Sequence, residues 1–310
     1  MAKEFKTIDE LISLLESRNV ETDNFTKTQL MRESYYAIVN GYKDPFIDKN
    51  AMQNSSDDIY VKGTRFEWIY NLFSFDRDLR AVTFRYLTKA ESIMKNAVVY
   101  SFCEKYQNPN DYLEISNYVD YANMLVPQGY DGNIKILHQK SITTLIRILS
   151  SKASGRSSKE FIRHYMSTYG FVPLWVLQND LTFGHISHFY QLQKRSIQNN
   201  ACKLVLESTG KSGKQFLAPL QLLHAFSVLV DYRNICAHDE RLYCAHVGKS
   251  HDIDFHQMAK SLVLILPFDE SRQFIDEIFN LFDKYDDNLH FVTPISLLKN
   301  MGFEIETESQ

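Results

Sequence analysis

Turn-making residues are scarce in this chain: eleven glycines and seven prolines among 310 residues. Apolar residues recur in periodic runs between them, which predicts helices joined by short loops. Cysteine is equally sparse. The four thiols, Cys103, Cys202, Cys236 and Cys244, come without a secretory signal, so a reducing cytosol is expected rather than a disulfide framework. The N-terminal MAKEFKTIDELISLLESRN places acidic residues on an amphipathic pattern and lacks the basic-then-apolar layout of a signal peptide. No run approaches the ~18 apolar residues of a membrane span. The best candidate, SLVLILPF at 261–268, is short and interrupted by Pro267. A soluble, cytoplasmic protein with no membrane partner is expected. The 44% hydrophobic and 23% charged fractions suit an ordinary globular chain, long enough for one large domain or two ordinary ones.

A helical period is present almost throughout. A first helix is expected at 7–18, with Ile8, Leu11, Leu14 and Leu15 on one side. Thr26 reads as the N-cap of a helix over 27–40 that stops at Gly41. Residues 42–62 read as a polar loop, and a long helix follows at 65–105, with a bend placed near Ser74. Residues 106–130 read as irregular. Helices are then expected at 131–152, 157–168, 173–194 and 197–208. The segment 151–159, SKASGRSSK, reads as a flexible basic connector, and STGKSGK at 208–214 as a turn. The apolar stretch 218–237 forms a helix opened by Pro219, with Leu220, Leu223, Phe226, Leu229 and Val230 facing a core. Helices at 254–266, 269–285 and 293–300 complete the chain, and Trp175 reads as a core residue. With no convincing period-2 alternation and no repeat, the fold class is all-α.

The net charge of −4 conceals an asymmetry. Residues 140–214 carry eleven Lys/Arg against Glu160, Asp180 and Glu207, a net +8, whereas residues 249–310 carry five basic and twelve acidic residues, a net −7. A polyanion that touches one face fits this layout. So do charges that simply cover solvated helix faces.

The chemistry concentrates in 233–246, RNICAHDERLYCAH. Cys236–His238 and Cys244–His246 form two Cys-x-His units, which together offer four metal ligands. Arg233, Asn234 and His238 offer a nuclease site instead. On a helix, residues two apart point about 200° from each other, so Cys236 and His238 cannot share one ion. Cys-x-His twice is also not a usual structural zinc spacing. HDIDFH at 251–256 offers Asp252, Asp254 and His256 as weaker ligands, with a helix-capping loop as the plainer reading. In STGKSGK, Gly210 and Gly213 lie too close for a phosphate loop, and no strand precedes them. Neither a metal nor a cofactor is expected.

The nuclease reading fares better. Asn234 and His238 are i and i+4, on one helix face, so the amide can orient the imidazole. Arg233 can reach toward the same groove. RNA cleavage needs little more: a base takes the proton of the 2′-hydroxyl, an acid protonates the departing 5′-oxygen, and a guanidinium neutralises the pentacoordinate transition state. Histidine suits both proton transfers because it titrates near neutrality. RNA supplies its own nucleophile. Taken alone, an Arg and a His at this spacing also describe an ordinary helix end.

Context adds to the motif. RNICAH fits the R-x4-6-H pattern of HEPN ribonucleases, and RNICAHDERLY resembles the C-terminal signature of abortive-infection (Abi) proteins of the AbiD/AbiF type. Three further blocks resemble the same family in order: ESYYAIVNGYKDPF at 33–46, GTRFEWIYNLFSFDRDLRAVTFRYLTKAESIMKNAVVYSF at 63–102, and VPLWVLQNDLTFGHISHFYQL at 172–192. The resemblance covers about 25–245. It implies a HEPN-like helical bundle with additional N- and C-terminal helices, divided as a helical element at 1–62, a HEPN-type domain at 63–290, and a short helix with an acidic tail at 291–310. It also implies a phage-defence toxin, an endoribonuclease bound and restrained by a structured non-coding antitoxin RNA. The active site of such proteins forms where two motifs meet. Here Arg77, Arg80 and Arg85 have no His within seven residues, so a homodimer is expected to bring two motifs together.

The resulting expectations are specific. Arg233, Asn234 and His238 are the catalytic candidates. Lys152, Arg156, Lys159, Arg163, Lys194, Arg195 and Arg241 are the RNA-binding candidates, with Arg241 equally open to a structural pair with Asp239 or Glu240. Tyr165, Tyr169, Phe183 and Tyr190 are candidates for base stacking, although their spacing places most in the core. Asp76, Arg77 and Arg80 read either as a groove lining or as a structural helix pair, Glu91 as a buried or bundle-bridging carboxylate, and Cys236 and Ala237 as packing. A non-catalytic RNA-binding protein using the same basic surface is the alternative.

Overall fold

The structure, a computed structural model, describes residues 4–54, 57–126, 130–156, 159–290 and 292–304. In chain order its helices are α1 (Ile8–Ser17), α2 (Asn24–Arg32), α3 (Phe66–Lys105), α4 (Ile134–Ala153), α5 (Glu160–Tyr169), α6 (Leu174–Leu177), α7 (Phe183–Gln191), α8 (Arg195–Ser208), α9 (Pro219–Ala237), α10 (Phe255–Ile265), α11 (Phe268–Tyr285) and α12 (Pro294–Asn300). Among the described residues the only strands are β1 (Val20–Glu21) and β2 (Thr64–Arg65), paired in parallel. The protein is all-α.

Several boundaries depart from the sequence expectation, each for a local reason. Asp23, not Thr26, caps α2. The Asp23 carboxylate accepts from the Thr26 amide (3.0 Å) while the Thr26 hydroxyl accepts from the Asp23 amide (3.1 Å), a reciprocal capping box. The helix stops at Arg32, and 36–40 form a separate π-helical turn. The expected 173–194 helix is broken: α6 gives way to a 3-10 turn at Gln178–Asp180, and Thr182 starts α7 by accepting from the His185 amide (3.2 Å). In contrast α3 runs unbroken past Ser74. Residues 157 and 158 of the expected connector, and 127–129 of the irregular stretch, lie outside the described residues.

The chain forms two compact units. The first gathers Met1–Val82, Asp239–Ala245 and Ile275–Gln310. Its core joins the start of α3 to the end of α11, with the Phe75 ring 5.3 Å from Phe282 and 5.7 Å from Tyr285. Its polar centre is Asp76, fully buried. That carboxylate accepts from the Tyr42 hydroxyl (2.6 Å), the Arg80 guanidinium (2.8 Å) and the backbone amides of Leu242 (3.0 Å) and Tyr243 (2.7 Å). Burial raises its pKa above the ordinary aspartate range, while these four donors act in the opposite sense. Arg80 also reaches the Glu240 carbonyl (3.3 Å) and the Asp239 carboxylate (3.2 Å), steadying Asp239 in a left-handed conformation (φ 58°). The Asp76–Arg80 pair is thus a structural staple for 239–243. Arg77 is likewise structural, bound to Glu33 at 2.7 Å.

The second unit comprises Thr83–His238 and His246–Phe274. Its centre is α9, which packs against α7 and α10. Leu222, Ala225, Phe226, Val228, Leu229 and Tyr232 are buried. The expected stripe was therefore right at Phe226 and Leu229 but displaced at its start: Leu220, one residue after Pro219, is 59% exposed. Phe226 sits 5.5 Å from Phe183 and 5.4 Å from Tyr190. Burying such a side chain contributes about 1.5–3 kcal/mol. Phe183 and Tyr190 thereby belong to the core and not to a stacking surface.

Candidate active site

The site is built on the last turns of α9. Pro219 at the first helical position starts the helix without wasting an amide. At the other end the Tyr232 hydroxyl donates to the Ile253 carbonyl (3.1 Å), anchoring the turn that carries the motif. The next residue, Arg233, is therefore presented from a fixed backbone. His238 closes the helix as its C-cap, donating its amide to the Asn234 carbonyl (3.0 Å).

The Arg233 guanidinium is held on two sides. Its Nε lies 3.3 Å from Oε2 of Glu91 on α3, a charge contact without hydrogen-bond alignment, and its Nη1 donates to Oδ1 of Asn234 (3.0 Å). Lys95, one turn along α3, approaches the other Glu91 oxygen at 3.5 Å and donates to the Leu181 carbonyl (2.7 Å). Glu91 is thus the bridging carboxylate expected from its place in an apolar helix. Asn234 grips the arginine, and among the described residues no side-chain hydrogen bond joins it to His238. The amide orients the guanidinium rather than the imidazole. The His238 side chain stands exposed at the helix end, open to a ligand.

The chemistry available here is limited and definite. A half-buried guanidinium, pre-oriented by a carboxylate and an amide, can receive a phosphate's charge. An exposed imidazole little more than one turn away can give or take a proton. Among the described residues no group of three or more His, Cys, Asp or Glu side chains is arranged to hold a metal ion. In HDIDFH, Asp254 caps α10 through the Gln257 amide (2.9 Å).

A family model for Abi-like proteins matches residues 28–244. The chain belongs to the Abi-like family. No curated protein and no solved structure matches it. Membership points to abortive infection, a form of phage defence, and leaves a nuclease role open. The matched region of this Abi-like protein runs from α2 to just past the motif. It encloses Glu91 and Arg233 as well as Asp76 and Arg80. Among the described residues no helix is long and apolar enough to cross a membrane.

The basic candidates of the Abi-like chain fall into different environments. Arg156 and Arg195 are exposed. Lys159 and Arg163 lie at the start of α5, exposed as well. Lys152 is committed to Asp180 (3.0 Å), and Lys194 donates to the Ser116 carbonyl (2.7 Å). Lys211, counted in the basic stretch, is 1% exposed, donates to the Leu264 carbonyl (3.2 Å) and that of Val263, and so closes the C-terminal end of α10. Arg241, in the first unit, bonds the Gly41 carbonyl (2.9 Å) and Asp44 (3.3 Å). Its structural pair is real, but the partner is Asp44 and neither Asp239 nor Glu240. Trp175 is not core. In the single turn of α6, Leu174 and Leu177 face inward, which sends Trp175 outward at 47% exposure. Sequence reasoning placed the motif but gave Glu91 no arginine. The signal was a lone acid in an apolar stretch of α3 with Lys95 four residues on, which marks a paired charge and leaves the partner unnamed.

Proposed function

We propose that this Abi-like protein is a metal-independent endoribonuclease acting in abortive infection, with Arg233, Asn234 and His238 as its catalytic set. One observation carries the reading: the Arg233 guanidinium is fixed between Glu91 and Asn234 little more than a turn before an exposed imidazole. His238 moves protons between the 2′-hydroxyl, the phosphate and the departing 5′-oxygen. Arg233 neutralises the charge that builds on phosphorus-bound oxygens in the transition state. Asn234 and Glu91 keep the guanidinium ready, so that no reorganisation is needed during reaction. The reaction requires a base and then an acid, and one chain offers one such histidine. A homodimer supplies the second across a two-fold axis. The exposed Arg156, Lys159, Arg163 and Arg195 support a structured RNA as the restraining partner. They equally serve the second reading, an RNA-binding protein without catalysis.

The test is cleavage of RNA by the purified full chain in excess EDTA. Products are expected to carry 2′,3′-cyclic phosphate and 5′-hydroxyl ends, and light scattering is expected to give twice the chain mass. Strict dependence on a divalent metal, or a monomer both free and RNA-bound, contradicts the proposal. Binding without cleavage selects the second reading.

A further inference from the structure

A cleft of about 470 Å³ opens in the second unit, within the ~300–1,000 Å³ range of ligand-binding clefts. One wall carries Asn96, Tyr100 and Glu104, four residues apart on α3, with Gln107 just past the end of that helix, and the other carries Trp175 and Gln178. Two rings stand out. Tyr100 is 55% and Trp175 47% exposed, although each sits beside fully buried neighbours such as Val99 and Leu174. Large aromatic faces left in water are an energetic loss that a flat partner recovers. Around them lie groups suited to a base edge. Asn96 and Gln107 are exposed amides, each carrying both donors and an acceptor. Glu104 is already engaged by the Asn200 amide (2.8 Å), and Gln178 donates to the Trp175 carbonyl (3.1 Å). The remaining polar group, the Cys103 thiol, is pushed up to about 11 by burial, so it is a neutral floor and not a nucleophile.

The rim is cationic. Lys105 and Lys194 converge on the Tyr106 ring, next in sequence to Gln107, at 5.7 and 5.6 Å. Lys105 donates to Ser196 (2.8 Å), so the start of α8, with exposed Arg195, borders the same stretch of α3. Flat rings, two-way hydrogen-bonding amides and a row of cations are the elements by which single-stranded RNA is held. A peptide side chain would use the rings but not the row of cations.

We infer that this cleft receives one unpaired base of a single-stranded RNA segment, stacked on Trp175 and Tyr100, edged by Asn96 and Gln107, with the neighbouring phosphates on Lys105, Lys194 and Arg195. The inference rests on the RNA reading above for its polyanion and on nothing in the cleavage step.

The experiment uses the full chain and a 2′-O-methyl oligoribonucleotide, which has no free 2′-hydroxyl to attack. The sequence holds two tryptophans, Trp68 and Trp175, so a Trp68→Phe background leaves Trp175 as the reporter. Saturable quenching of its fluorescence is expected. In the native background, Trp175→Ala and Tyr100→Ala are each expected to weaken binding about 10- to 100-fold. Trp175→Phe retains a ring and should keep most of the affinity, with unchanged melting in all three variants. Wild-type affinity in both Trp175→Ala and Tyr100→Ala overturns the cleft while leaving the ribonuclease reading intact. Failure of the wild type both to bind the oligonucleotide and to cleave RNA overturns both. Quenching of Trp175 by raised protein concentration alone, with no RNA effect, assigns the cleft to a second copy of the chain and overturns the inference.

Discussion

Asp76 and Glu91 are two carboxylates on one helix, each facing an arginine, and they are built for different ends. Asp76 is sealed, and its two oxygens receive four donors, two of them backbone amides. Nothing is left over for a ligand. Glu91 keeps partial exposure and holds Arg233 and Lys95 at looser distances of 3.3 and 3.5 Å. A saturated carboxylate fixes a fold, whereas a loosely shared one keeps a guanidinium available. The Asp76–Arg80 block therefore serves the chain after the motif, and the Glu91–Arg233 pair serves the motif itself.

Asp76→Ala strips a buried guanidinium and two amides of their partner and is expected to cost about 3–5 kcal/mol. Chemical denaturation of the variant checks this. A loss below about 1 kcal/mol would mean that the staple around 239–243 is dispensable. Glu91→Gln should do the reverse. It is expected to leave stability within about 1 kcal/mol and to slow RNA cleavage roughly 10- to 100-fold, on the scale of a displaced transition-state contact. If Glu91→Gln and Asp76→Asn destabilise equally and cleave equally, the two carboxylates have the same job.

The basic residues sharpen the same contrast between sealed and available charge. Lys211→Met leaves helix-end carbonyls without a donor and should cost about 1–3 kcal/mol of stability, with RNA affinity unchanged. Arg156→Glu combined with Arg195→Glu should leave stability alone and weaken RNA binding. If about five phosphates are contacted, the slope of log K against log salt is near −3.5, at roughly −0.7 per contact. Filter binding over a salt series gives both numbers. The smallest effect is expected at Asp231, a half-buried carboxyl held above the ordinary aspartate range by burial. The folded chain keeps this proton to a higher pH than the unfolded chain does. Its ionisation therefore opposes folding above that window and not below it. Asp231→Asn should raise the melting temperature at neutral pH, and the gain should vanish as the pH falls to the ordinary aspartate range.

Much of this was legible in the sequence because helical periodicity and capping residues act locally. The helices at 8–17, 219–237 and 255–265, and the RNICAH motif at the end of the second, follow from spacing, Pro219 and Asp254. What escaped depends on partners far along the chain or on which side of a turn faces inward. Nothing near Lys211 announces that its ammonium closes α10, and nothing near Trp175 reveals that α6 is one turn long. Leu220 reads as apolar stripe until the first turn of α9 is seen to lie open. Arg241 has two acids beside it in sequence and bonds Asp44 instead. The compact units are assembled from three and two separate stretches, and composition carries no trace of that. In the candidate site, Arg233, Asn234 and His238 were placed by spacing. The reversal of Asn234 from imidazole to guanidinium was not, because helix geometry puts it within reach of both.

The most direct measurement is the rate of RNA cleavage by His238→Ala beside that of the wild type, both in EDTA and both shown to be folded. His238 is exposed, so its truncation leaves no cavity, and the melting temperature should not move. The rate should fall by about 10²–10⁴. A folded His238→Ala that cleaves RNA as fast as the wild type would contradict the account.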